Sequence, residues 1–562
     1  MLRRSTIQMG LLLFLGAVAC SDGAGPKLPP CTAAGTNVTL PVVGAYISFD
    51  PTGTSNGCLV FPANGPSDSA EFVLIPQLTT GIPGKTSSFR VAGDTIRPAP
   101  VAAAFSASAV SLEDLPPAER FHLFLRLGDE ARWRGLNPQV EPAVMAAARS
   151  PAAPAGPPAM GSQRTFKVCA KLNCSSFDNV TATVRALKSN VAIYVDNTAP
   201  AGLDSAQLDT LAATFETRLY PADTAAFGRE SDIDTNSVVM VLMTPTVNKL
   251  VTSAACASTG FVAGFFFGAD IDPAFGNDSR SNKGEIFYSI VADPTGTLSC
   301  SHSITSVQRL VPVTFIHEFQ HMISFNQHVL VRGGDGEVLW LNEGFSHYAE
   351  ELGGRTYASG TPEFSRFTIG DLYNAYQYLD STDKRFLLPT AGIGSLAERG
   401  ASWLFVRYLV DQYAADTTVA SWNVFTRQML ATTDVGATNI ANRTGSTFTG
   451  VVTRWAMANW VSDLPGFLAP NELRYKSWAF RTTYASLHAQ DAGNFPKSFP
   501  LTPPSSAGRA LVLTGTLRAG SGVYVRAFQA PSAPGFTLLF GTSTGGPLDP
   551  SLVPRLNVIR VR

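Results

Sequence analysis

Apolar and polar positions change period along the chain, and the changes mark out its parts. From about 31 to 105, short apolar runs are broken by Pro, Gly and Ser, as in AYISFDPTGTSNGCLVFPANGPSDSAEFVLI. Such runs between turn residues predict short strands and a small β-rich domain. LEDLPPAERFHLFLRLGDEARWRG, 112–135, has helical spacing instead. ARSPAAPAGPPAMGSQ, 148–163, carries no core pattern and reads as an exposed linker. The texture then changes. VAIYVD (191–196) and SVVMVLMTP read as strands, the second buried on both faces, and LDSAQLDTLAATFETRLY between them as an amphipathic helix. FVAGFFFGAD and GEIFYSIVAD are two more strand-like runs. Helical spacing returns over 303–327 (SITSVQRLVPVTFIHEFQHMISFNQ), in VLWLNEGFSHYAEEL and in ASWLFVRYLVDQYA, 401–414. After LTPPSSAGRA come short alternating runs, LVLTGTL, GVYVRAF, FTLLF and LNVIRVR, read as a C-terminal β-module. No internal repeat is present.

The expected class is therefore α+β. The expected parts are a signal over 1–20, a β-rich region over 21–147, a linker over 148–165, a catalytic domain over 166–500 and a β-rich module over 501–562. A chain of 562 residues exceeds what one hydrophobic core supports. Charged residues make up only 15% and the net charge is −1, so no basic surplus argues for nucleic acid.

The N-terminus adds a location. Arg3 and Arg4 precede the apolar run LLLFLGAVA, with Cys20 directly after it. A basic start, a short apolar stretch and small residues before the cut read as a secretory signal, too short to span a bilayer. Ala17-Val18-Ala19 before Cys20 resembles a bacterial lipoprotein signal, although leucine is commoner at the position of Ala17. That resemblance implies a lipid anchor on Cys20 and membrane contact through it. Ser21, in place of an aspartate, points to the outer membrane; the alternatives are a secreted or periplasmic protein. Six cysteines remain, an even number in an exported chain, and nearest pairing joins Cys31 to Cys58, Cys169 to Cys174 and Cys256 to Cys300. Fifteen connectivities stay open at this level.

Candidate chemistry gathers in one stretch. Only seven histidines occur, and His317 and His321 stand four apart in HEFQH. On a helix that spacing puts both imidazoles on one face, where one Zn2+ can accept a nitrogen from each. Glu318 points about a quarter-turn away and can act as general base towards a water. Phe315, Ile316, Phe319, Met322, Ile323 and Phe325 would keep the helix buried. A third ligand is needed. The metzincin pattern HExxHxxGxxH fails, because Ser324 and Gln327 stand where it requires glycine and histidine. Glu343 in WLNEGF, on the following helix, completes a His2Glu set with an open fourth position.

HEFQH followed by WLNEGFSHYAE resembles the gluzincin clan of zinc peptidases, and within it the hyicolysin family of secreted bacterial metallopeptidases. FGRESDIDTNSVVMVLMTPTVN and SNKGEIFYSI add to the likeness, which covers roughly 190–420. The resemblance implies a thermolysin-like catalytic domain, with His317, His321 and Glu343 as zinc ligands and Glu318 as general base. It implies hydrolysis of protein or peptide substrates; a monomer is expected. It also implies that a strand before the first zinc helix lies along the substrate backbone, with GEIFYSI, Gly284 to Ile290, as the candidate. Two rival readings are a surface-anchored binding protein on a peptidase scaffold and a zinc hydrolase of a non-peptide substrate.

Around this set, Glu350 is a candidate partner for a ligand imidazole. His347 reads equally as a partner of Glu343, an oxyanion stabiliser or a packing residue. Tyr348, Tyr373, Tyr376, Tyr378 and His488 are candidate transition-state stabilisers. His122, His302 and His328 read as structural or solvated. Asp232, Asp234 and Asn236 admit calcium, but Ser237 and Met243 stand where an EF-hand loop wants glycine and glutamate. A turn capped by Asp and Asn is the plainer reading.

Overall fold

In the computed structural model the described residues are 27–29, 31, 35–93, 115–130, 156–390 and 394–562. The signal-like stretch and the first part of the linker, 148–155, lie outside them. Among the described residues, no helix is long and apolar enough to cross a membrane.

The centre is a six-stranded sheet ordered β10-β11-β9-β8-β7-β6. Its strands are β6 (Gln163–Cys169), β7 (Phe177–Leu187), β8 (Val191–Asp196), β9 (Val239–Met243), β10 (Gly264–Phe266) and β11 (Ile286–Ser289). β6 thus begins inside the stretch read as linker. β8, β9 and β11 run parallel, and β9 (VMVLM) is buried at every position, as a strand covered on both faces must be. β7 alternates buried and solvated positions and pairs antiparallel. β10 pairs antiparallel with β11 and forms the edge of the sheet.

Helices carry the rest of this region. The described part of the predicted 112–135 helix is α1 (Pro117–Glu130). α2 (Ser205–Thr214) opens with a capping box on Asp204. α3 (Ile304–Phe325) carries HEFQH; its N-cap Ser303 accepts from the N–H of Ser306. α4 (Leu339–Arg355) carries Glu343, and α5 (Pro362–Asp380) and α6 (Leu396–Tyr413) pack against it. The contact of α4 with α6 is close because residue 344 is glycine. A Cβ there would stand 2.8 Å from Val406 Cγ2 and 2.9 Å from the Ser402 carbonyl oxygen. Beneath, the buried Glu351 accepts from Arg407 and from the indoles of Trp403 and Trp478, tying α4 to α6 and to the segment after it.

The N- and C-terminal β-rich stretches, expected as two modules, share sheets. One sheet runs β1 (Thr36–Asn37), β3 (Cys58–Phe61), β15 (Phe536–Gly541), β5 (Thr86–Gly93) and β13 (Val512–Arg518). The other runs β12 (Ser505–Ala507), β14 (Val525–Gln529), β4 (Ala70–Leu78), β16 (Pro554–Arg560) and β2 (Tyr46–Phe49). Phe61, Phe89 and Leu538 of the first share one core with Phe72, Leu74 and Val558 of the second. Neither stretch has enough strands to cover its own apolar face, so each completes the other. Three disulfides join the cysteines nearest in sequence: Cys31–Cys58, Cys169–Cys174 and Cys256–Cys300.

Candidate metal centre

α3 and α4 bring the predicted set together. His317 Nε2 lies 3.7 Å from Glu343 Oε2, and His321 Nε2 lies 3.4 Å from Glu343 Oε1. The two imidazole rings are 5.0 Å apart, one helical turn along the same face. One ligand atom from each of His317, His321 and Glu343 falls within 4.8 Å of the others, close enough to hold one metal ion.

The polar atoms at this point fit such an ion. Both ring nitrogens of His321 and Oε1 of Glu343 are buried and make no hydrogen bond. Buried polar atoms are ordinarily paired, so an imidazole and a carboxylate left unsatisfied beside a second imidazole point to a cation. Burial, with the Arg126 guanidinium nearby, holds the His321 imidazole down at about 3, so it is neutral and able to donate a lone pair. Burial works against the charge of Glu343, but His321, Arg399 and His317 outweigh it and keep the carboxyl well below its usual range.

A second layer orients the first. His317 Nδ1 donates to Glu350 Oε1 at 2.8 Å, which turns its Nε2 towards Glu343. His347 Nδ1 faces the same Glu350 oxygen at 3.1 Å and Asp371 Oδ1, from α5, at 2.8 Å. Burial pulls His347 down, but Glu350 and Asp371 outweigh it and hold the imidazole up at about 10. Its Nε2 is buried and makes no hydrogen bond. His347 thus belongs to the Glu350–Asp371 cluster, beside the ring of His317 at 4.9 Å.

Glu318 is fully buried beside this set. Its Oε2 accepts from the N–H of Phe266 in β10 at 3.0 Å, and its Oε1 makes no hydrogen bond. Burial raises its proton affinity, against the pull of Arg126 and His317.

In sequence, the chain is similar to the neutral metalloprotease ShpI of Staphylococcus hyicus. The two are 26% identical over 147 residues, 26% of this chain; the match covers 31% of that relative's length. No family model matches. The likeness supports a metallopeptidase relationship, and the His and Glu groups described above can bind a metal.

Other expectations turn out differently. GEIFYSI cannot add a substrate strand, because β11 pairs with β9 on one side and β10 on the other. The edge strand beside the site is β10. Three of the proposed stabilisers are engaged elsewhere: the Tyr376 hydroxyl with the backbone of Lys497, Tyr378 with Ser521 Oγ, and His488 with the Phe495 carbonyl. Tyr373 packs edge-on against Phe495, and Tyr348 lies by Arg407. His122, read as structural or solvated, instead places Nδ1 3.7 Å from Glu318 Oε1. Arg126, Arg399 and Asp371 also reach the site without having been singled out. The one available signal was His122 and Arg126 standing four apart on a predicted helix, hence on one face. His302 lies between Cys256 and Cys300, and His328 beside Glu337. Asp232 and Asp234 meet Glu285 within 4.8 Å; Asp232 also accepts from the Ser237 N–H, and Asp234 from Asn236.

Proposed function

We propose that the chain is a zinc-dependent endopeptidase that hydrolyses peptide bonds in proteins. The observation that carries this reading is the convergence of His317, His321 and Glu343, with His321 and Glu343 atoms buried and unpaired, beside an equally unpaired Glu318 oxygen. Two nitrogens and one carboxylate oxygen are the donor set of catalytic zinc sites that keep a position open. When bound, zinc would act as a Lewis acid on the peptide carbonyl and lower the pKa of water in the site to about 7.

The chain's own residues do the rest. His321 presents a neutral nitrogen, and Glu350 fixes the orientation of His317. Glu318 Oε1 takes a proton from the attacking water and passes it to the leaving amine. A buried carboxylate suits this work, since its raised proton affinity lies nearer that of the water it must deprotonate. His347, positively charged and with Nε2 unpaired, can add positive potential to the site as negative charge develops on the carbonyl oxygen.

A peptide-library digest with and without chelator, set beside zinc content, tests the reading. The expected result is about one zinc per chain, chelator-sensitive cleavage, and loss of cleavage in Glu318→Gln with zinc retained. Zinc binding without cleavage of any peptide would favour a non-peptide hydrolase. Cleavage that survives Glu318→Gln would remove the mechanism.

A further inference from the structure

We propose that α1 is an internal inhibitor, seated over the general base and the sheet edge beside it, and held there by Arg126 and His122. The proposal rests on the peptidase reading and concerns how that same site is regulated.

The first observation is burial. His317 is 8% exposed, His321 2%, Glu343 1% and Glu318 0%. A peptidase must admit a water and a length of backbone to these atoms. The second observation is what does the covering. Arg126, 1% exposed, reaches Glu318 Oε2 at 3.6 Å and donates to the Phe266 carbonyl oxygen at 3.0 Å. His122 stands over the other Glu318 oxygen. Phe121 packs edge-on against Phe265 at 4.9 Å, and Leu123 meets Leu339 at the start of α4. α1 therefore bridges β10 and the helix of Glu343, across the mouth of the site.

The third observation is the state of the sheet edge. β10 has one free side, and an open edge is where an extended peptide can pair. The Phe266 N–H and carbonyl are both already taken, by Glu318 and Arg126. The Glu318 carboxylate is likewise held, by the Phe266 N–H at 3.0 Å and by the Arg126 guanidinium at 3.6 Å. One helix thus lies over the site and, through Arg126, occupies the free carbonyl on the sheet edge.

Removing α1 need not dismantle the fold. It belongs to no sheet, and the nearest strands on either side end at Gly93 and begin at Gln163. What it contributes is an amphipathic face, Phe121, Leu125 and Arg126 inward, with Leu127 and Glu130 exposed.

The test uses the full chain with one site-specific protease recognition sequence at 104–108 and another at 144–148, so that α1 can be excised from folded protein. Two quantities are read before and after excision: the loading rate of Co2+ into metal-free protein, and kcat/KM on a fluorogenic peptide. If the open form is a tenth of the population or less, excision raises kcat/KM by at least about tenfold. Metal loading accelerates as well, and adding back a synthetic peptide of residues 115–130 reverses both effects. Arg126→Glu in the uncut chain is expected to shift both readouts in the same direction. Equal or lower activity after excision, with loading unchanged, would overturn the proposal and make His122 and Arg126 parts of the working site. Faster loading with no hydrolysis in either form would leave the occlusion standing and remove the peptidase reading. Metal binding by neither form would remove both.

Discussion

Replacing Glu350 with alanine tests whether the site is organised as its geometry implies. Glu350 Oε1 is the only acceptor shown for His317 Nδ1, at 2.8 Å, and it also faces His347 at 3.1 Å. Burial opposes its charge, but His347 and His317 outweigh this and hold the carboxyl down at about 2, so it is an acceptor throughout the neutral range. In Glu350→Ala the His317 Nδ1–H is left without a partner inside the protein, which costs about 1–3 kcal/mol. His347 keeps Asp371, so its loss is smaller. Removing the partner of a ligating histidine typically weakens metal binding about 10–100-fold, or about 1.4–2.7 kcal/mol, in the same range. The assay is zinc affinity by competition with a chromophoric chelator near neutral pH. Glu350→Gln, which keeps a carbonyl oxygen in place, should fall between wild type and alanine. An alanine variant that binds zinc within about twofold of wild type would refute the reasoning, because His317 would then need no orienting partner.

Three further outcomes are expected. Burial pushes the Glu285 carboxyl up to about 7 from 4.5, so its contribution to stability is fully present below about 4.5 and lost as pH rises through about 7. Glu285→Gln should therefore gain on wild type above neutral pH, by up to about 3 kcal/mol in urea midpoints measured with no metal added. Gly344→Ala should cost about 1–3 kcal/mol in thermal unfolding, since the new methyl has no room between Val406 and the Ser402 carbonyl; a neutral result would mean that α4 and α6 can separate. A fragment of residues 501–562 should show no folded circular-dichroism spectrum by itself, because β13 and β15 pair with β5, and β14 and β16 with β4.

The candidate metal centre was legible because its signals are local. Two histidines four apart must share a helix face, and Glu343 lies on the next helix in the same continuous run of secondary structure. Buried strands such as VMVLM and the helices 303–327 and 401–414 announced themselves by period. Glu350 followed from the need of a ligating imidazole for a partner. The choice of substrate strand went astray for a reason of the same kind: GEIFYSI looks like any apolar strand, and whether a strand is interior or at an edge is a property of its neighbours.

What the chain determined by itself, then, is that His317 and His321 share one helix face with Glu318 beside them, since the spacing within a helix is fixed by the helix. What only the tertiary structure decided involves residues far apart in sequence. Arg126 meets Glu318, β4 pairs with β16, and β5 with β13. Such contacts leave no period and no spacing behind, because they are selected by the burial of whole faces rather than by any local preference. For that reason a helix before the linker could be predicted, but not that it would lie across the site.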